Sequence, residues 1–198
     1  MAELGVEEDI AFIRRTVEGG RVYARRRSAD LLVWGLFVGG SYLNTYAWLN
    51  HWPSFDPRWS WLFAVVPPAL YSFRRLGVRL SGRPALARSP MATALSMLWL
   101  GCGISLVTLA AGASWGGAFG YQWYDAVSAS IFGIAFFAAS FLCNLAWMRF
   151  IAFAWWTAEI VFFVLQGSRI TPLVDAAMML LFLAGPGLIL LTSSRTEA

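Results

Sequence analysis

The sequence predicts an all-α membrane protein with six transmembrane helices, both termini in the cytoplasm and a short amphipathic cytoplasmic helix before the first span. Three observations predict it. Of the 198 residues, 59% are hydrophobic and 13% are charged, about half the usual ~25% charged fraction of a soluble domain. Six apolar stretches approach the length of a membrane helix. The arginines gather on alternate connections between these stretches.

The six apolar stretches define the predicted spans, because a helix needs ~20 apolar residues to cross the bilayer core. They cover residues 29–49, 59–75, 90–112, 124–147, 150–167 and 172–193. The first 28 residues lack the apolar core and the cleavage site of a signal peptide. We therefore expect span one to be an uncleaved anchor, with a cytoplasmic segment over 1–28 and a six-helix transmembrane domain over 29–198.

The arginines predict the orientation of the spans. All 15 basic residues are arginine. With six spans, thirteen arginines lie on one side: six before span one, five between spans two and three, and Arg149 and Arg195. Only Arg58 and Arg169 lie on the other side. The positive-inside rule then places both termini in the cytoplasm, with the chain in the cell inner (plasma) membrane and the lipid bilayer as its first partner.

The composition excludes several chemistries. There is no lysine for a Schiff base, and the single histidine, His51, excludes a three-histidine zinc site within one chain. Cys102 and Cys143 both fall in apolar segments, without a Cys–x–x–Cys pair. We expect no cofactor, no metal and no enzyme activity. The positive net charge follows the topology of a membrane protein, so it does not indicate a nucleic-acid partner.

The cytoplasmic segment contains a predicted helix over residues 5–18. One apolar stripe at helical spacing consists of Val6, Ile10, Ile13 and Val17. Gly19-Gly20 is expected to end or hinge this helix. The stripe fits a helix lying on the inner membrane surface. It also fits a helix that docks on a cytosolic regulatory protein.

The first quarter of the chain also carries a resemblance. The stretch "EEDIAFIRRTVE", the arginines after it and "VWGLFVGGSYLNTYAW" resemble a loose group of uncharacterised bacterial six-span membrane proteins. Those proteins begin with a short I-R-R-T/M-x-E helix. The resemblance implies no catalytic residue, and it favours a signalling or regulatory role.

One carboxylate lies inside span five, in the stretch "AWWTAEIVFF". Glu159 is the tenth residue of that span, and a charge near the midplane costs on the order of 2.5–3.5 kcal/mol on insertion scales. Every arginine lies at or beyond the ends of the spans. The carboxyl therefore stays protonated, or it meets a proton or cation from elsewhere. Aromatic faces attract cations, and four aromatic side chains lie three or four residues from Glu159.

Two predicted helix breaks fall at a similar depth, at Pro67-Pro68 and at Gly185-Pro186-Gly187. Such breaks free backbone carbonyls, and transporters build binding sites from them. The best prediction is a small transporter or permease whose acidic site takes a proton, a cation or a small amphipathic ligand. The alternatives are a membrane sensor or regulator that acts on a cytosolic partner, and a purely structural Glu159. The predicted site residues are Glu159, Trp155, Trp156, Phe162, Phe163, Tyr42, Pro67, Pro68, Gly185, Pro186 and Gly187.

Overall fold

The computed structural model describes residues 2–80, 90–115 and 123–193, with side chains described at 19, 20, 22–74, 90–115 and 123–193. These ranges are helical and contain no β-strand, which confirms the all-α prediction. The helices are α1 (Ala2–Leu49), α2 (Pro57–Leu80), α3 (Pro90–Trp115), α4 (Tyr124–Leu142), α5 (Met148–Val164), α6 (Thr171–Met179) and α7 (Gly185–Ser193). A π-helical turn, Leu180–Ala184, joins α6 to α7 in one continuous run.

Within the described residues, three helices are long and apolar enough to cross a membrane: α3, α4 and the run Thr171–Ser193. They indicate a membrane protein by their length and composition. The helix in the fifth predicted span, α5, has 17 residues and is therefore about 26 Å long. That is short of the ~30 Å bilayer core, which explains why α5 is not one of the three.

The first helix is longer than expected. It has 48 residues and passes through Gly19-Gly20 without a break, so the prediction of a separate N-terminal helix ending there is wrong. Gly20 lies against the backbone carbonyl of Leu142, where a β-carbon would collide. The glycine therefore allows α1 to approach the end of α4 instead of bending the helix. The side chains of the stripe Val6, Ile10, Ile13 and Val17 lie outside the described residues.

The last span packs closely on α1. Gly35 lies against the backbone of Ala184, and a β-carbon on Gly187 would meet the Leu32 nitrogen at 2.5 Å and the Ser28 oxygen at 2.7 Å. Small residues at such contacts let membrane helices approach closely. Pro186 lacks an N–H, and the π-helical turn before it absorbs the irregularity, with Gly185 N–H donating to the Leu180 carbonyl. The predicted break here is wrong, because the helix changes pitch without unwinding.

The second helix lies along α1. Trp34 Nε1 donates to Ser72 Oγ at 3.2 Å, and Ser41 Oγ donates to the Ser60 carbonyl at 2.6 Å. It continues through Pro67-Pro68, so the predicted break in span two is also absent. Pro68 is fully buried.

One cluster of buried side chains marks the end of the bundle that we call the Tyr23 end. At the Tyr23 end, side chains of α1, α3, α4, α5 and α7 bury one another: Tyr23, Ala24, Leu95, Ala139, Cys143, Met148 and Leu190. The Tyr42 end is the opposite one, where α1 finishes and where α4 and α6 begin. A tight turn at the Tyr23 end joins α4 to α5 and holds Asn144 at a φ of 51°. The turn occupies residues 143–147, which the sequence had assigned to span four.

Candidate functional site

Glu159 lies on the face of α5 that packs against α4. Trp155 and Phe162 belong to the same face and are buried, while Glu159 itself is half-buried. Ser130 of α4 donates its hydroxyl to Glu159 Oε2 at 2.6 Å. Because α5 begins at Met148, Glu159 is the twelfth of its 17 residues. It therefore lies nearer the Tyr42 end than its predicted place in span five implied.

The four aromatic side chains around Glu159 have separate partners. Trp155 stacks on Phe132 with ring centroids 4.7 Å apart. Trp156 packs on Phe137 at 5.4 Å, and Phe163 packs on Trp123 at the same distance. Phe162 is 3% exposed and belongs to the core. The Glu159 carboxylate is therefore hydrogen-bonded to the Ser130 hydroxyl, and the neighbouring aromatic rings pack mainly against other rings.

The remaining predicted site residues lie elsewhere in the bundle. Pro67-Pro68 belongs to α2, which packs chiefly on α1, whereas α5 packs chiefly on α4. Gly185-Pro186-Gly187 lies where α7 approaches α1. The sequence grouped these segments with Glu159 by depth, but depth alone does not place them on neighbouring helices.

Tyr42 takes part in a cluster that the sequence did not reveal. Its hydroxyl donates to Asp125 Oδ1 at 3.1 Å. Asp175 lies within electrostatic range of both Tyr42 and Asp125. These three side chains form the Tyr42 acid cluster, at the junction of α1, α4 and α6. Tyr42 is 7% exposed and Asp175 is 3% exposed, while Asp125 is half-buried, so the cluster is largely enclosed by the protein.

The two aspartates differ in their hydrogen bonds. Asp125 accepts from Tyr42, but Asp175 Oδ2 is buried without a hydrogen-bond partner. The ion pairs Arg27–Asp30 and Arg58–Asp56 include neither of these aspartates nor Glu159. No group of three or more His, Cys, Asp or Glu residues is arranged to hold a metal ion within the same ranges.

One sequence signal could have revealed the cluster. Asp125 lies near the start of span four, and Asp175 lies near the start of span six. In a six-span topology both spans begin on the same side, where span one ends with Tyr42. An acid just inside the end of a span costs less than one at the midplane. Glu159 therefore stands out in the sequence, and the two aspartates do not.

An apolar groove of about 580 Å³ lies between α1 and α2 at the Tyr42 end. Leu36, Phe37, Trp59 and Phe63 contribute to its walls. The polar residues beside it are bonded to backbone groups, since Ser41 donates to a carbonyl and Asn44 bonds the backbone of Phe55 in both directions. The groove therefore presents an apolar surface, which suits an acyl chain or another apolar group.

An ion pair at the start of α2 joins Asp56 of the preceding loop to Arg58 of the first turn. Arg58 Nη2 donates to Asp56 Oδ2 at 2.7 Å, and the Arg58 backbone N–H donates to Asp56 Oδ1 at 2.9 Å. Both hydrogen bonds from Arg58 hold the pKa of Asp56 below its usual value, and the guanidinium contributes more than the backbone N–H. This acid has a cation partner and contact with water, unlike the acids inside the bundle.

The fold and these contacts define a class: a helical membrane protein with carboxylates on the packed faces of its helices. Comparisons of the chain with protein-family models, with curated proteins and with solved structures found no match. The functional assignment therefore rests on the chemistry of the acidic sites.

Proposed function

We propose that this chain is a six-span inner-membrane protein that acts as a small transporter or permease, with carboxylates inside the bundle binding a proton or a cation. The main support for this proposal is the position of Glu159. This acid lies on a packed helix face and accepts a hydrogen bond of 2.6 Å from the Ser130 hydroxyl. Ionisable residues inside membrane helices mark ion pathways and proton relays. The apolar groove between α1 and α2 is the candidate place for a small amphipathic ligand.

The arrangement of arginines supports six spans with both termini in the cytoplasm. At the Tyr23 end, Arg27 pairs with Asp30 at 2.6 Å, and the Arg149 guanidinium lies 4.3 Å from the centroid of the Phe141 ring. Arg58 precedes the body of α2 at the Tyr42 end, and Arg169 precedes α6 at that end. The Tyr23 end is then the cytoplasmic one by the positive-inside rule.

Cysteine labelling tests this topology. In a chain without Cys102 and Cys143, a cysteine at Ser54 should react with a membrane-impermeant reagent from outside the cell. A cysteine at Ser81 should react only after the membrane is opened. Labelling of position 81 in intact cells would contradict the proposed orientation.

Flux in liposomes tests the transport proposal. The purified full-length chain is reconstituted, and proton flux and cation uptake are measured for wild type and for Glu159→Gln. The glutamine keeps the shape and removes the ionisable group, so we expect insertion without coupled flux. Asp56→Asn is the matched control, because it removes an acid from the exposed loop and should leave flux unchanged. Wild-type liposomes without flux above empty liposomes would contradict a transport function.

A membrane sensor is the second candidate, and the continuity of α1 favours it. One helix joins the N-terminal segment to the buried core, since Tyr23 and Ala24 of α1 lie among the side chains of the Tyr23 end. A cytosolic regulatory protein bound to that segment would therefore be connected directly to the bundle. The resemblance of the first quarter to bacterial six-span proteins favours the same reading. Binding of a cytosolic protein without any flux would support the sensor.

A further inference from the structure

The Tyr42 acid cluster contains an acceptor without a donor. The Tyr42 hydroxyl donates a hydrogen bond to Asp125 Oδ1. Asp175 Oδ2 has no hydrogen-bond partner, although Asp175 is 3% exposed. A buried polar atom without a partner is rare in folded proteins and needs an explanation. A proton on Asp175 explains the missing donor, because a protonated carboxyl is itself a donor and no longer carries a buried charge.

The groups that face Asp175 favour such a proton. Its electrostatic partners are Tyr42 on α1 and Asp125 on α4. Tyr124, also on α4, is an electrostatic partner of Tyr42. The ring of Trp61 from α2 packs against Tyr42 and does not titrate. The titratable groups named here are therefore carboxyls and phenols. Two carboxylates that share a site of low dielectric do not both ionise.

We propose that the Tyr42 acid cluster binds one proton, which is held by Asp175 and shared with Asp125. The hydrogen bonds assign the two roles. Asp125 accepts from Tyr42, and a donated hydrogen bond favours the ionised form of a carboxyl. Asp175 receives no such bond at Oδ2, so it is the member of the pair that keeps the proton. The inference deepens the proposed function by naming a proton as the bound species at a second site, separate from Glu159.

A proton fits the site better than a metal ion does. Within the described residues the cluster offers two carboxylates and a phenol, and no group of three His, Cys, Asp or Glu side chains is arranged for a metal there. Hard cations in proteins require about six oxygen ligands. A proton requires only an oxygen that lacks a donor.

Infrared spectroscopy of the full-length chain in lipid nanodiscs tests the proposal. Spectra are recorded from about pH 5 to about pH 9, which covers ordinary and buried carboxyls. At neutral pH we expect the C=O stretching band of a protonated carboxyl. Carbon-13 in the side-chain carboxyl of aspartate should shift that band in the wild-type chain, and Asp175→Asn should remove it. Asp125→Asn should lower the pH at which the band disappears by roughly one unit or more, because it removes the neighbouring negative charge.

Two controls keep the test independent of folding and of transport. Asp56→Asn should leave the band unchanged, and isotope labelling needs no mutation if Asp175→Asn does not fold. A wild-type spectrum without the band, a band that ignores the aspartate label, or one that Glu159→Gln removes would overturn the proposal. The Asp175 band in a chain without flux supports this inference while contradicting transport. Flux in a chain without the band would support transport and contradict this inference.

Discussion

Glu159 and Asp175 are both acids on the packed faces of helices, but their surroundings are opposite. Glu159 is half-buried and accepts a hydroxyl at 2.6 Å. Asp175 is 3% exposed, and its Oδ2 accepts nothing. The residue that stands out in the sequence therefore has a polar partner, and the one that does not stand out has an unsatisfied oxygen. Position along a span predicts where an acid is costly, but only the packing shows whether a donor accompanies it.

This difference predicts that apolar replacements at the two acids change stability to different extents. We expect Asp175→Leu to have the largest effect, lowering the free energy of unfolding by about 1–3 kcal/mol, because it removes the carboxyl that shares its proton with Asp125 and leaves that acid short of a donor. Thermal unfolding in detergent measures the change. Asp175→Asn keeps the shape and offers an amide donor to Asp125, so it should lose less than Asp175→Leu. An Asp175→Leu chain as stable as the wild type would show that the two aspartates share no proton.

The replacement Glu159→Leu should lower the free energy of unfolding by about 1 kcal/mol, because it removes the bond from Ser130. Ser130→Ala should cost a similar amount. The double variant should cost about as much as either single one, since both remove the same interaction. Strict additivity in this cycle, measured by the same thermal unfolding, would show that the hydrogen bond does not contribute to stability.

The sequence predicted the helices well, because long apolar stretches bounded by arginine, glycine and proline are local features. It misjudged Gly19-Gly20, Pro67-Pro68 and Gly185-Pro186-Gly187 for a common reason. Each was interpreted by its effect on an isolated helix. In the bundle, Gly20 and Gly187 allow close contact with a neighbouring backbone, and a π-helical turn accommodates Pro186. Local sequence does not determine which helix will be the neighbour.

At the candidate site, too, the sequence predicted local features and missed the contacts between helices. Glu159 was visible because it interrupts an apolar run, and its position on a packed face follows from helical spacing. Its partner Ser130 was not visible, because the register between α4 and α5 depends on the turn at residues 143–147. The convergence of Tyr42, Asp125 and Asp175 requires the arrangement of three helices that are far apart in the chain. Sequence placed these residues only at a common end of the bundle.

Tyr42→Phe should have a smaller effect than either acid replacement, about 0.5 kcal/mol, because it removes one hydrogen bond of 3.1 Å and keeps the ring against Trp61. In the Asp125→Asn background the same change should cost less. Thermal unfolding of the four chains gives the coupling energy. An undiminished cost in that background would show that the Tyr42 hydroxyl contributes through another group.

Asp56→Asn should have the smallest effect. The lowered pKa of Asp56 stabilises the folded state above the ordinary aspartate pKa of ~3.9, and this contribution is lost as the pH falls through the lowered value. Because Arg58 is 90% exposed, water and salt screen the pair. We therefore expect no detectable shift in thermal unfolding at neutral pH. A clear shift would mean that the loop is more buried in the membrane-bound protein.

The unbroken course of α1 has a mechanical consequence. Tyr23, packed among four other helices, and Tyr42, which donates to Asp125, lie on one continuous helix, about 28 Å apart along its axis. A small tilt or rotation imposed on this helix at its N-terminal end would displace the Tyr42 hydroxyl relative to α4. With the proton site proposed above, losing that donor would make the ionised form of Asp125 less favourable. A pull on the N-terminal segment would then change how tightly the two aspartates hold the proton, and binding or release of the proton would change the force on any partner bound to that segment.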